Sequence, residues 1–356
     1  MTNTKIYING RFLTQKLTGV QRFAYEIADR LRSTFEVEIL MPNAPILDNY
    51  KIERWNITKL GKLTGQLWEQ VELPKALGQI GNPLLLNLCN SAPYFYSNNV
   101  VTIHDLAFLE NKWHSFSFRL WYKILIPKIV NKAKCIFTVS EFSKSLLLSV
   151  YGLSSEKVTV VFNGIDHLKG SAASAKEKIF LSVGSMDPRK NIHATIQAFL
   201  SSKAAAKGYR LVIVGGLSSS FNFDESLLKA NKENVQFRGY VTDQELIDLY
   251  EVADFFLFPS LYEGFGIPVL EAMNFGCCVI TSQITSLPEV CGDAAYYVDP
   301  YQVSSISKAI DTVLDDTSLK QNLLKNGNER VKKYAWQTSE RIVSQVLQKI
   351  VNLQTK

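Results

Sequence analysis

The chain has 356 residues, 46% hydrophobic and 20% charged. That is well above the ~100–200 residues of one domain, so two cores are expected, and the balance excludes a disordered chain. The formal charge of +6 is uneven, with 20 Lys and Arg against 13 Asp and Glu in residues 1–170 and 19 against 20 in the rest; the basic first half could be drawn to anionic lipid or to a diphosphate-bearing acceptor, or be simply a solvated basic surface.

The opening residues, MTNTKIYINGRF, lead straight into a strand pattern rather than a secretory signal, and no run reaches the ~20 apolar residues of a spanning helix. A cytoplasmic protein is expected, touching at most the inner face of the plasma membrane. The first half alternates strand and helix patterns: KIYING at 5–10, a helix near 20–32, FEVEILM, PLLLNL, the strand VVTIHD ending on His104 and Asp105, a long helix near 115–131, KCIFTVS, a helix from Glu141, and VTVVFNG. Repeated βα units imply a parallel sheet covered on both faces. Residues 166–178 are small, polar and charged, and read as a linker between a domain at 1–165 and another at 179–335.

The second domain repeats the pattern with IFLSVGSM, a helix from about 190, YRLVIVGG, NVQFRGY, a helix near 243–252, ADFFLFPS, a helix from about 267, CVITS and AAYYVDP. Residues 336–356 hold an amphipathic helix expected to cross back to the first domain. The fold class expected is α/β, with two Rossmann-like doubly wound sheets and a ligand at the carboxyl ends of the strands, in a cleft between them.

The sharpest motif is PSLYEGFGIPVLEAMNFG, residues 259–276. It follows an all-apolar strand, so its polar part begins where a parallel strand ends. Gly264 and Gly266 allow backbone amides to approach an anion at the start of a helix, and Pro268 suits the first helical position. Phe265 and Ile267 contribute amides to the same loop. Glu263 lies in the loop and Glu271, eight residues on, in the first helical turn; carboxylates accept paired hydrogen bonds from sugar or ribose diols.

VGSMDPRKN, residues 183–191, ends the first strand of the second sheet and places Arg189 and Lys190 ahead of a helix, across the cleft from the glycine loop. A pyrophosphate between them would meet cations on one side and helix amides on the other. Gly19, in the turn before the first helix, could admit the diphosphate through its amide, and Asn163 and Gly164 stand near the linker. The five cysteines form no CxxC pair and read as buried thiols. Four scattered histidines offer no metal-ligand set, and no nucleic-acid motif accompanies the basic charge. From Trp113 to Lys134, Phe116, Phe118, Trp121, Tyr122, Lys123, Lys128 and Lys132 combine aromatic and basic character and could rest on a membrane.

These motifs, together with TGVQRFAYEI (18–27), HDL (104–106), VSEFSK (139–144) and FNGID (162–166), resemble the retaining family 4 glycosyltransferases of GT-B type nearly end to end. The resemblance implies that Glu263 contacts the transferred sugar, Glu271 the nucleotide ribose and Lys190 the diphosphate, that His104 approaches the sugar through its ring or carbonyl, and that the base lies against Gly239, Arg238 and Tyr240. Many members have an arginine where this chain has Ser185, so Arg189 could supply that charge. It further implies a nucleotide-sugar co-substrate (GDP-, dTDP- or UDP-linked) and no cofactor or metal. The acceptor implied is a glycan, free or linked to undecaprenyl diphosphate, as in bacterial O-antigen, lipopolysaccharide or capsule assembly. Mannose is the first expectation for the sugar, ahead of rhamnose, glucose or galactose. A hydrolysing nucleotide-sugar epimerase and a non-catalytic nucleotide-sugar-binding scaffold are the competing readings.

Overall fold

The computed structural model describes residues 5–47, 50–110, 113, 115–165, 175–185, 187–216 and 233–354. The chain divides into two compact units, Met1–Gly164 with Trp336–Lys356, and Ile165–Ala335.

The first unit is built on strands β1 (Lys5–Asn9), β2 (Glu36–Pro42), β3 (Ile57–Leu60), β4 (Leu85–Asn87), β5 (Asn99–Thr102), β6 (Cys135–Thr138) and β7 (Val158–Val160). All pair in parallel, in the order β3-β2-β1-β4-β5-β6-β7. Strands β4, β5 and β6 are buried along their whole length, as parallel strands covered on both faces must be. Helix Gly19–Leu31 turns Phe23, Ala24, Ile27, Ala28 and Leu31 inward, a stripe of helical period. Helix Trp336–Gln354 packs against it. Trp336, 1% exposed, lies 6.2 Å from the Phe23 ring. Ser339 Oγ donates to Phe162 O at 2.7 Å, tying the same helix to the chain just after β7.

The second unit carries β8 (Glu177–Val183), β9 (Arg210–Val214), β10 (Val235–Gly239), β11 (Ala253–Phe258), β12 (Cys278–Ser282) and β13 (Ala295–Val298). The order is β10-β9-β8-β11-β12-β13, again parallel throughout. Its core joins Phe180, Phe255, Leu257, Ile213 and Ile280 to helices Ile192–Leu200 and Val303–Asp315. In each unit the strand order reverses direction once, between β1 and β4 and between β8 and β11. At such a point the connections leave for opposite faces of the sheet, the usual place for a ligand in doubly wound folds.

Several elements differ from expectation. β3 and the helical stretch 65–79 are absent from the sequence reading. β3 alternates weakly, and Gly65, Pro74 and Gly78 hide the helix. Within that stretch, Trp68–Glu72 is a π turn, with Leu73 N bonded to Trp68 O. The wider turn brings Trp68 and Leu73, five apart, into the same core with Leu77. The strand expected to end on His104 and Asp105 stops at Thr102, because Asn90 Oδ1 accepts from the His104 amide at 2.6 Å and Asp105 Oδ1 accepts from Ala107 N at 3.0 Å, where a 3₁₀ turn begins. β8 begins at Glu177, within the stretch read as linker. Residues 166–174 of that stretch lie outside the described residues. No helix among the described residues is long and apolar enough to cross a membrane.

Trp336→Ala should lower stability to urea by about 3–5 kcal/mol, since the pocket against Phe23 cannot collapse fully. Leu353→Ala, 69% exposed on the same helix, should stay within about 0.5 kcal/mol.

Candidate active site

The loops leaving β8 and β11 flank the reversal in the second sheet and meet directly. After β8, Asp187 Oδ1 accepts from Arg189 N at 3.0 Å and caps the 3₁₀ turn Pro188–Lys190. Lys190 Nζ then lies 2.7 Å from Glu263 Oε1 and 4.9 Å from the Phe258 ring centroid. Arg189 sits between two acids, 3.6 Å from Glu263 Oε2 and 3.6 Å from Asp187 Oδ2, and its guanidinium donates to Tyr262 O at 3.4 Å. Sequence reasoning set these cations opposite the glycine loop; they instead grip its carboxylate.

Glu263 is 6% exposed. Burial works against its charge, yet Lys190 and Arg189 outweigh burial and hold its carboxyl below the usual range, helped by Ser260 Oγ at 2.6 Å. Burial, reinforced by neighbouring Arg189, pulls the Lys190 ammonium below its usual range despite Glu263. Ser260 also bonds Arg189 O at 2.9 Å, so one buried hydroxyl touches both loops.

The glycine loop ends at Gly266, whose φ of 102° is left-handed and whose added Cβ would lie 2.7 Å from Leu287 Cδ2. Only glycine fits there. Ser286 Oγ bonds the carbonyls of Glu263 (2.9 Å) and Phe265 (3.0 Å). The Phe265 ring packs edge-on to Tyr334 at 5.5 Å, so Phe265 can serve a ligand only through its backbone. Helix Ile267–Asn274 follows, with Pro268 its second residue rather than its first. Glu271 is its fifth and therefore falls in the second turn, not the first as expected. Tyr250, buried on helix Asp243–Val252, donates from its hydroxyl to Glu271 Oε2 at 3.1 Å.

Asn191 carries a role that the sequence reading missed. Its backbone is left-handed, φ 58°, and its Nδ2 donates to Pro259 O (3.0 Å) and Pro300 O (2.7 Å). One amide thereby ties the Lys190 turn to the chain just beyond β11 and β13. The signal was its place after Arg189 and Lys190, where asparagine tolerates left-handed backbone better than most residues. Ser185 is exposed on the same loop. Gly239 ends β10 with φ 65°, and Tyr240 beyond it is 79% exposed. The Tyr240 ring lies against Gly216, where a Cβ would come within 1.9 Å of Tyr240 Cε2.

In the first unit, His104 is buried. Its Nε2 lies 3.0 Å from Leu88 O and its ring stands edge-on to Phe23 at 4.9 Å. Burial lowers its pKa, the Leu88 carbonyl beside Nε2 suits a proton on that nitrogen, and the His104 carbonyl accepts from Ser143 Oγ at 3.1 Å. Gly19 is the first residue of its helix and is exposed. Asn163 and Gly164 are buried, with Asn163 Oδ1 unpartnered among the described residues. The reversal between β1 and β4 holds a network invisible in sequence. Arg11 Nε bonds Glu69 Oε2 at 2.7 Å and its NH2 bonds Ser91 Oγ at 3.0 Å, while Asn9 Nδ2 bonds Glu69 and Asn87 at 3.0 Å each. Ser91 closes the ring onto Glu69. This fixes the 88–91 loop that holds His104 through Leu88 and Asn90.

All five cysteines are free, and burial pushes Cys89, Cys277, Cys278 and Cys291 up to about 12. Among the described residues no three His, Cys, Asp or Glu side chains group as metal ligands.

Two doubly wound parallel sheets in one chain, the second with charged side chains at its reversal, define the GT-B class. Residues 17–168 match the family described as Glycosyltransferase Family 4, and residues 166–330 the one described as Glycosyl transferases group 1. The chain is 30% identical to O-antigen chain mannosyltransferase B of Escherichia coli, covering 90% of this chain and 93% of that protein. It is 28% identical to O-antigen chain mannosyltransferase RfbU of Salmonella typhimurium, over 83% and 87%. Sucrose-phosphate synthase from Thermosynechococcus elongatus shares the fold, with a TM-score of 0.77 at 20% identity over 98% of this chain and 99% of that one. The chain belongs to the family 4 glycosyltransferases and is a glycosyltransferase enzyme.

Because the folded carboxyl of Glu263 is lowered, its stabilisation is present above the ordinary glutamate range near about 4.3 and is lost as pH falls through the lower folded value. Acid unfolding followed by circular dichroism should show this loss in the wild type. Glu263→Gln should flatten that limb, and an unchanged limb would show that the carboxylate does not draw stability from Lys190 and Arg189.

Proposed function

We propose that the enzyme transfers a mannosyl group from GDP-mannose to a hydroxyl of a glycan acceptor, free or carried on a lipid diphosphate, at the cytoplasmic side of a membrane and with retention at the anomeric carbon. The observation that carries this reading is the buried Lys190–Glu263 pair, 2.7 Å apart, at the reversal of the second sheet. The names of the relatives support mannose. Lys190 meets the diphosphate and Glu263 the hydroxyls of the transferred sugar. Arg189, already held by Asp187, stays beside Glu263 and adds positive potential.

In this reading the amides from Gly264 to Ile267 meet the departing charge with fixed dipoles, which need no reorganisation as the charge develops. The bond from the anomeric carbon to the phosphate oxygen breaks as the bond to the acceptor oxygen forms. The acceptor proton passes to the departing phosphate oxygen, so no side chain is assigned as base and no metal step is invoked. Glu271, oriented by Tyr250, takes the ribose diol, and the base lies beside Gly239 and the Tyr240 ring. Ser185 lines the phosphate side.

Glu263→Gln and Lys190→Ala should each lower kcat by about 100-fold or more with unchanged circular dichroism; near-normal turnover in either would refute the assignment. Thermal-shift titration against GDP-, dTDP- and UDP-sugars should single out GDP-mannose, since a ligand at 100 times its Kd stabilises by about 2.7 kcal/mol. NMR of the product should show the donor's anomeric configuration. Donor incubated without acceptor should yield no epimer, whose appearance would favour the epimerase.

A further inference from the structure

The buried network where β1 and β4 part leaves some of its hydrogen-bonding capacity unused. Glu69 is saturated: Oε2 accepts from Arg11 Nε and Asn9 Nδ2, and Oε1 from Ser91 Oγ and Gln70 Nε2, which fills the acceptor positions of a carboxylate. Arg11 is not. From the guanidinium fork of donors, Nε goes to Glu69 and NH2 to Ser91 Oγ, while NH1 bonds no other described residue.

Two further groups beside it also have capacity to spare. Asp105 follows β5, which lies next to β4 in the sheet. Its Oδ1 accepts from Ala107 N at 3.0 Å, where the 3₁₀ turn Ala107–Leu109 begins; its Oδ2 bonds no other described residue, and its charge has no ion-pair partner among them. Arg119, on helix Phe116–Lys132, donates to Phe108 O at 3.3 Å instead. Tyr122, on the same helix and grouped on sequence grounds with aromatics that could rest on a membrane, turns inward, its ring 5.6 Å from Phe108 in that 3₁₀ turn. Its hydroxyl bonds no other described residue. Burial pushes that hydroxyl up; the Arg11 charge reaches it and works the other way, and the charges of Glu69 and Asp105 reach it too. Neither Arg11 NH1, nor Asp105 Oδ2, nor the Tyr122 hydroxyl is sealed from solvent. Polar groups that are almost buried and still unpaired are what a ligand can satisfy.

We propose that Arg11, Asp105 and Tyr122 bind the hydroxyls of an uncharged sugar, the terminal residue of the glycan acceptor, and so set acceptor specificity. A sugar hydroxyl both donates and accepts, and here a guanidinium donates, a carboxylate accepts and a phenol does either. They gather at the carboxyl ends of neighbouring strands, beside the reversal of the first sheet, where ligands collect. The Arg11 charge is already answered by Glu69 at 2.7 Å, and Asp105 adds an unanswered negative one. A uronate or phosphate in the same place therefore meets repulsion rather than a free cation. The inference rests on the reading of a glycan acceptor, not on which sugar is moved.

The test is saturation-transfer NMR on the full chain without donor, titrating methyl glycosides of mannose, glucose and galactose and the corresponding uronates. At least one neutral glycoside should bind, and its uronate about tenfold more weakly or worse. Tyr122→Phe keeps the ring on Phe108 and should weaken the neutral glycoside by about three- to tenfold. Asp105→Asn keeps an oxygen for Ala107 N and should narrow the gap between glycoside and uronate by about tenfold, a ratio that a merely structural role would not move. Arg11 is left intact, because its loss would strand the buried Glu69 charge. The thermal shift given by GDP-mannose should be the same in both variants as in the wild type; its absence from all three would count against the mannosyl reading alone. The proposal would be overturned if no neutral glycoside bound, if uronates bound equally well, or if either variant behaved like the wild type. Binding lost in Glu263→Gln but kept in Tyr122→Phe would also overturn it, by placing the sugar in the second unit.

Discussion

A lysine and a glutamate from different loops are withdrawn from water 2.7 Å apart at the reversal of the second sheet, and much of that unit's local construction answers to them. Removing two ions from water costs several kcal/mol each, which their attraction offsets only when the remaining donors and acceptors are also satisfied. Ser260 and Arg189 meet that need around Glu263. Asn191 accepts an unusual backbone conformation to hold the Lys190 turn against the chain beyond β11. Such a pair adds little net stability over a well-packed apolar pair, whereas loss of either partner would leave a buried charge unanswered.

The first unit repeats the device with other residues. Arg11 and Glu69 pair where β1 and β4 part, and Asn9, Asn87 and Ser91 saturate them. Glu69 comes from a π turn, and widening the turn by one residue lets Trp68 and Leu73 share the core while Glu69 reaches the strand ends. The outcome is a rigid 88–91 loop that holds the His104 ring and amide. Both units thus spend buried polar groups at the one place where a doubly wound sheet opens.

Much of the architecture was legible because apolar strands alternating with amphipathic helices admit few folds, and the motif at 259–276 announced itself by following the all-apolar ADFFLF. Helix Asp243–Val252 could be read for similar reasons: Thr242 and Glu245 form a capping box at its start. Less legible were β3, whose residues are only half-buried at its ends, and the 65–79 helix, interrupted by glycine and proline. The position of Glu271 was misjudged because the helix begins at Ile267, one residue ahead of Pro268, which moves Glu271 from the fourth helical residue to the fifth.

The amino-acid sequence by itself determined the two α/β units, the loops that follow their strands, and the residue types Lys190, Glu263 and Glu271 that chemistry would need, since periodicity and motif are local and survive without coordinates. Only the tertiary structure decided that Lys190 grips Glu263, that Asp187 claims Arg189, that Tyr250 turns to Glu271, and that Arg11 reaches Glu69 across 58 residues. The Lys190–Glu263 and Arg11–Glu69 pairings depend on strand order, which brings β8 beside β11 and β1 beside β4 whatever their distance along the chain. No local pattern encodes such neighbours.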